Sequence, residues 1–170
     1  IRMQRGPQGY YTVCDHAGRE GDRYRFVVNG SSLPDPGSHA QVNGVHSWSV
    51  VVDHSAYQWG DAAWRRPAFR DLVIYEMHVR GFTRHPSSGV AEKKRGTFAG
   101  LIEKIPYLRE LGVTAVELMP VFQFDPQDSP PGLVNYWGYA PVAFFAPHHA
   151  YSSRQDPLGP SDEFRDMVKA

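Results

Sequence analysis

Three consecutive stretches limit this chain to a narrow set of folds. Residues 72–79 and 113–119 are short apolar runs rich in Val, Ile, Leu and Tyr. Between them, over residues 98–111, Leu101, Ile105, Leu108 and Leu111 recur at helical spacing. Thr97 stands where an N-cap belongs, and Gly112 where a left-handed glycine ends a helix. This spacing predicts a βαβ unit, because two parallel strands cannot be joined by a hairpin and need a crossover, normally right-handed, that covers one sheet face. Pro106 lacks the N–H that a helix interior requires and is expected to kink or split the crossover helix.

Upstream, residues 10–13, 24–28 and 48–52 are β-favouring runs separated by turn clusters at 29–32 and 34–37. Tyr24, Phe26 and Val28 alternate with Arg23, Arg25 and Val27, which predicts an antiparallel sheet with one face turned inward and one solvated. The chain therefore divides into a β-rich segment, 1–63, read as part of a sandwich, and an α/β segment, 64–170. It starts at Ile1, and the helical pattern over 162–169 has no stop signal, so a piece of a longer protein is expected.

Composition narrows the partners. Eighteen basic and eighteen acidic side chains leave no net charge, which argues against nucleic acid or an anionic membrane and favours a neutral substrate. No run approaches the length of a membrane span. The single cysteine, Cys14, excludes an internal disulfide and a cysteine metal cage; a reducing, cytoplasmic compartment is the simplest expectation. Adjacent His148 and His149 lack a third ligand at suitable spacing, so packing within a loop is favoured over a metal site. Asp125, Asp128 and Asp156 read as solvated loop acids, and the glycines as turns rather than a phosphate-binding loop. No cofactor is expected.

The stretch 122–151 is proline- and aromatic-rich and reads as a long ordered loop. It follows the carboxyl end of the second strand, the face on which barrels and open α/β sheets build their sites. Within it lies NYWGY at 135–139. Aromatic rings present flat apolar faces suited to the C–H face of a pyranose, and their N–H and O–H groups still reach hydroxyls. Packing of these rings into a core is the alternative. In the first strand, Glu76 and His78 fall on the face opposite Tyr75 and Met77, and with Glu117 they are expected to form a hydrogen-bonded network inside the sheet's closed face, structural rather than substrate-contacting.

Five ordered motifs, YEMHVRGFTRHP at 75–86, GTF at 96–98, GVTAVELMP at 112–120, NYWGY at 135–139 and FAPHHAY at 145–151, together resemble the opening of the catalytic barrel of the α-amylase superfamily, the isoamylase-type debranching enzymes above all. The β-rich start is similar to the end of the carbohydrate-binding sandwich that precedes such barrels, with LPDP at 33–36 near its exit. GVH at 44–46 resembles trehalose-releasing relatives. The resemblance implies the first part of a (β/α)₈ barrel, left incomplete because a whole barrel takes about 250 residues. It implies retaining hydrolysis of α-1,6 branch linkages in glycogen, amylopectin or maltooligosaccharides. An aspartate nucleophile and a glutamate acid/base would lie beyond residue 170, and no catalytic residue would fall within the chain. By the same resemblance Tyr139 stacks on the reacting glucose and Trp137 forms a neighbouring wall, with Asn135 and Tyr136 as weaker candidates. A trehalose-releasing or branching relative, and a non-catalytic glucan-binding protein, are the alternatives; the insert at 124–132 favours the debranching type.

Overall fold

A computed structural model describes all residues, Ile1–Ala170. The β-rich start forms three antiparallel pairs: β1 (Gln4–Arg5) with β2 (Tyr11–Thr12), β3 (Arg23–Tyr24) with β6 (Ser49–Val50), and β4 (Phe26–Val28) with β5 (Ser31–Leu33). The last pair is a hairpin closed by Asn29 and Gly30, both with positive φ (50° and 82°), the mirror-image turn whose twist matches that of the strands. These pairs are three separate two-stranded sheets. Tyr24 and Phe26 do turn partly inward, edge to face at 5.8 Å, but Val28 is exposed, because the strand breaks at Arg25 and its two halves take different partners.

The βαβ unit is present. β7 (Ile74–Met77) and β8 (Ala115–Leu118) pair in parallel, with Glu76 opposite Glu117. α1 (Val79–Arg84) follows β7 directly; residues 78 and 79, expected to continue the strand, instead begin this helix. The crossover is split as Pro106 requires, into α2 (Phe98–Glu103) and α3 (Ile105–Glu110), with the proline in the first turn of the second piece, where its missing N–H costs nothing. The Thr97 side chain accepts the Gly100 N–H, capping α2. At the far end Gly112 (φ 86°) donates to the Arg109 carbonyl and Val113 to that of Leu108, the paired bonds of a Schellman stop. Of the periodic apolar residues, Leu101 and Leu108 are buried while Leu111 is exposed, since the break shifts the buried face.

The stretch 122–151 is not a loop throughout. β9 (Phe122–Phe124) and β10 (Pro141–Pro147) form an irregular antiparallel hairpin with two register shifts, and residues 125–140 are the excursion between them. The prolines sit at the two ends of β10, where strands tolerate them. α4 (Gly159–Lys169) packs on α2. The core joins Met77, Val79, Phe98, Leu101, Leu108, Val121, Phe124, Tyr151 and Met167, so both strands, the crossover, the hairpin and α4 share one apolar centre.

Candidate functional site

The site is built from β7 outward. His78, the first residue past the strand, caps α1: its Nδ1 accepts the Gly81 N–H at 3.1 Å. With that lone pair occupied, the neutral ring carries its proton on Nε2, which donates to the Tyr136 carbonyl at 2.9 Å. The Tyr151 hydroxyl lies 3.1 Å from the same nitrogen. Burial lowers the His78 pKa below the usual histidine value, which favours the neutral form that both contacts need. The ring lies flat against Tyr136, centroids 4.3 Å apart and planes 10° apart, and meets the edge of Trp137. The phenol of Tyr136 reaches in over Gly81, where a Cβ would stand 2.8 Å from its oxygen.

His78 thus supports the aromatic loop from beneath, and the expected network with Glu76 and Glu117 does not form. Both glutamates are exposed, and His78 is drawn away from them because it caps a helix rather than continuing the strand.

Asn135 fixes the loop from the other side. Its backbone N–H donates to the Pro126 carbonyl (2.9 Å), its side-chain amide to the Asp125 carbonyl (3.4 Å), and its Oδ1 accepts the Gly138 N–H (3.1 Å). Gly138 has φ 75°, and a Cβ there would lie 2.8 Å from the Phe124 ring. That ring cannot retreat, because it is stacked on His148 at 4.0 Å. Gly138→Ala is expected to combine left-handed strain with overpacking, destabilising by roughly 2–4 kcal/mol; urea unfolding measures it, and a change under 1 kcal/mol would show that the loop can relocate.

Held at Tyr136 and Gly138, the loop leaves Trp137 53% and Tyr139 69% exposed, so neither ring fills the core in this structure. Two exposed aromatic rings on a backbone pinned by hydrogen bonds and stacking form a preorganised apolar platform with polar edges, suited to a flat, hydroxyl-bearing ligand.

The histidine pair packs as a loop element. His148 and His149 both donate from Nδ1 to the Gln123 amide oxygen, at 2.9 and 3.3 Å. Three or more His, Cys, Asp or Glu side chains nowhere gather in a metal-holding group. Asp125 and Asp156 shape turns, accepting the N–H groups of Gln127 and Leu158. Asp125 does more: His46 Nε2 lies 2.7 Å from its carboxylate. This contact ties the 44–46 segment to the base of the platform loop, and it lowers the Asp125 pKa further below its usual value, after the larger effect of the Gln127 N–H. Sequence reasoning missed the His46 contact, the capping role of His78 and the buried Glu163, which binds five donors on two segments. Only His78 left a local signal, in the Gly81 that follows it by three residues.

The model of the α-amylase catalytic domain matches residues 55–156, more than half of the chain. The chain belongs to the α-amylase family. Isoamylase 3, chloroplastic, from Oryza sativa subsp. japonica is 47% identical over 87% of this chain and 20% of its own length. Malto-oligosyltrehalose trehalohydrolase from Saccharolobus solfataricus is 38% identical over 98% of this chain and 25% of its own. Among solved structures, a pullulanase from Anoxybacillus sp. LM18-11 in complex with maltotetraose superposes with a TM-score of 0.72 at 30% identity, over 98% of this chain and 27% of that one. The chain therefore spans about a quarter or less of the curated relatives it matches. The β7–β8 pair is a two-stranded parallel sheet within the matched residues, and residues 1–170 form no closed barrel. No helix is long and apolar enough to cross a membrane.

Proposed function

We propose that the protein carrying this chain is a debranching glycoside hydrolase that cleaves α-1,6 linkages in glycogen- or amylopectin-type glucans. The observation that carries this reading is the exposed Trp137–Tyr139 platform, held from below by His78 and Phe124, at the carboxyl end of a parallel strand pair in an α-amylase family chain. The 47% identity to an isoamylase supports the debranching type. In this reading the hydrolysis is retaining, with two carboxyl groups about 5 Å apart, supplied by parts of the protein outside residues 1–170. The chain's own contribution is to bind and orient. The Tyr139 ring takes the apolar face of the glucose at the scissile bond, and Trp137 walls the neighbouring position. A loop held at both ends does this without the entropy loss of ordering a free one.

A trehalose-releasing activity is the second reading. The identity to the trehalohydrolase runs through the N-terminal segment as well, and the GVH motif at 44–46 is the segment that His46 ties to the platform loop. Reducing ends released from amylopectin, set against those from linear maltodextrin, and trehalose released from maltooligosyltrehalose separate the two. Release from amylopectin without attack on linear chains supports debranching, whereas trehalose as the main product rejects it.

Tyr139→Ala is expected to lower kcat/KM on a branched oligosaccharide by about 10- to 100-fold, the loss of one stacked aromatic contact worth roughly 1.5–3 kcal/mol. With 69% of the residue already exposed, the melting temperature should barely move. An equal loss of folding would return Tyr139 to a core-filling role.

A further inference from the structure

The platform loop has a third anchor, and it comes from the β-rich start of the chain. His46 Nε2 donates to the Asp125 carboxylate at 2.7 Å, at the point where the chain leaves β9 and enters the 125–140 excursion. Two features make His46 a fixed point rather than a wandering surface side chain. It sits in a closed turn: the Ser47 N–H donates to the Gly44 carbonyl and the Val42 N–H to that of Trp48, both at 3.1 Å. The turn is also seated on the hairpin layer, with Val45 buried and Gly44 so near His149 that a Cβ would lie 3.2 Å from its ring. Gly44 has φ 90°, a path that a side chain would strain.

Asp125 is a junction. One carboxylate oxygen accepts from His46 and the other from the Gln127 N–H at 2.9 Å. Its backbone carbonyl accepts the Asp128 N–H at 3.1 Å and the Asn135 side-chain amide at 3.4 Å. Asn135 in turn accepts the Gly138 N–H at 3.1 Å. His46, Asp125, Asn135 and Gly138 therefore form a continuous series of hydrogen bonds, which ends on the residue between Trp137 and Tyr139. An ionised carboxylate can only accept, so His46 Nε2 carries the proton whether the ring is neutral or charged.

Exposure shows what such a contact can do. The His46 side chain is 80% exposed and that of Asp125 20%, so the pair adds little to global stability. Of residues 125–140 only Gly138 is buried, which leaves the excursion few packing contacts of its own. A segment of that kind opens locally at low cost, and hydrogen bonds at its base decide how often it does.

We propose that His46 is a positioning residue for the Trp137–Tyr139 platform, acting through Asp125 and Asn135 rather than by touching the sugar. The proposal rests on the α-glucan reading of that platform. Without the anchor, a smaller fraction of molecules holds the loop in its binding position. KM then rises in proportion while kcat is nearly unchanged, because a bound glucan keeps the loop in place.

Kinetics on a branched maltooligosaccharide and hydrogen–deuterium exchange of residues 135–138, both in the full-length protein, test this. His46→Ala should raise KM about three- to tenfold and change kcat by less than about twofold. Without sugar, it should speed exchange of the Asn135 and Gly138 amides about threefold or more, at an unchanged melting temperature. His46→Gln, whose amide NH₂ can donate to the same carboxylate, should return KM to within about twofold of wild type. In a Tyr139→Ala background the effect of His46→Ala on KM should shrink below about twofold, since both act through one platform. Unchanged exchange or unchanged KM in His46→Ala overturns the proposal, as does a fall of kcat in step with the melting temperature, the mark of a merely structural contact. Faster exchange in His46→Ala of a protein that hydrolyses no glucan would keep His46 as the anchor of the loop and overturn the proposed enzymatic activity.

Discussion

Glu163→Ala should cost this protein about 3–5 kcal/mol of stability, because it strands several buried donors at roughly 1–3 kcal/mol each. Glu163 is 3% exposed, and its carboxylate accepts five donors: the N–H groups of Ala99, Ser153 and Arg154 and the hydroxyls of Ser152 and Ser153, at 2.7–3.2 Å. The Ala99 N–H is one of the unpaired donors of the first turn of α2, so the negative charge also meets the positive end of that helix. One side chain on α4 thereby fastens the start of the crossover helix and the turn after Tyr151, and so fixes the ring that contacts His78. Alanine would leave several buried donors unpaired. Glutamine keeps the shape but turns an NH₂ toward N–H and O–H donors, and should cost roughly 1.5–3 kcal/mol. Urea unfolding of the two variants measures both losses; an alanine variant within 1 kcal/mol of wild type would mean that water replaces the carboxylate at no cost.

Acid should destabilise the protein in a window set by histidine, which opens at pH 6.5, before carboxylates begin to titrate. His148 is 2% exposed, stacked on Phe124, and its pKa is lowered from 6.5 to about 3, by burial first and then by His149, Arg80 and His78. The sign follows from proton binding. Between pH 6.5 and about 3 the unfolded chain takes up a proton that the folded chain refuses. The stabilisation is therefore complete above pH 6.5 and is lost progressively as pH falls toward 3. A shift of that size corresponds to at most about 4–5 kcal/mol. His149, lowered by burial, and His78, lowered for the same reason, act in the same direction. Asp125, with its own pKa lowered, contributes stability that is lost only as pH falls below the ordinary carboxylate range of about 4. The unfolding free energy at pH 7, 5.5 and 4.5 should fall steeply in wild type and less steeply in His148→Phe, which keeps a ring against Phe124 without a titratable nitrogen. Equal slopes in the two proteins would contradict the assignment.

What could be read in the amino-acid pattern was local. Thr97, Pro106 and Gly112 act through their own backbone neighbours, so the cap, the split and the stop of the crossover follow from residue type alone. The exposed platform was legible as a sequence of aromatics around a glycine, and Gly138 has the positive φ that such a turn uses. The hairpin of β9 and β10 was not, because prolines at the ends of β10 and two register shifts erase the alternation by which a strand is recognised. His78 lay in a strand-like run, and its role depends on the chain turning immediately after Met77 into a helix that has no periodicity long enough to detect. Glu163 and the His46–Asp125 contact join residues 64 and 79 positions apart, and no local pattern carries that information. In the β-rich start, pairs of two or three residues satisfy local turn chemistry without declaring which sheet they belong to.

Whether a glucose unit rests on the Tyr139 ring is decided by a crystal structure of the full-length protein soaked with a branched maltooligosaccharide. The expected result is a pyranose packed face to face on that ring, with carbon atoms about 3.5–4 Å from it, beside a pair of carboxyl groups about 5 Å apart. A sugar bound elsewhere while the Tyr139 ring stays in solvent, or a platform with no such carboxyl pair beside it, would contradict it.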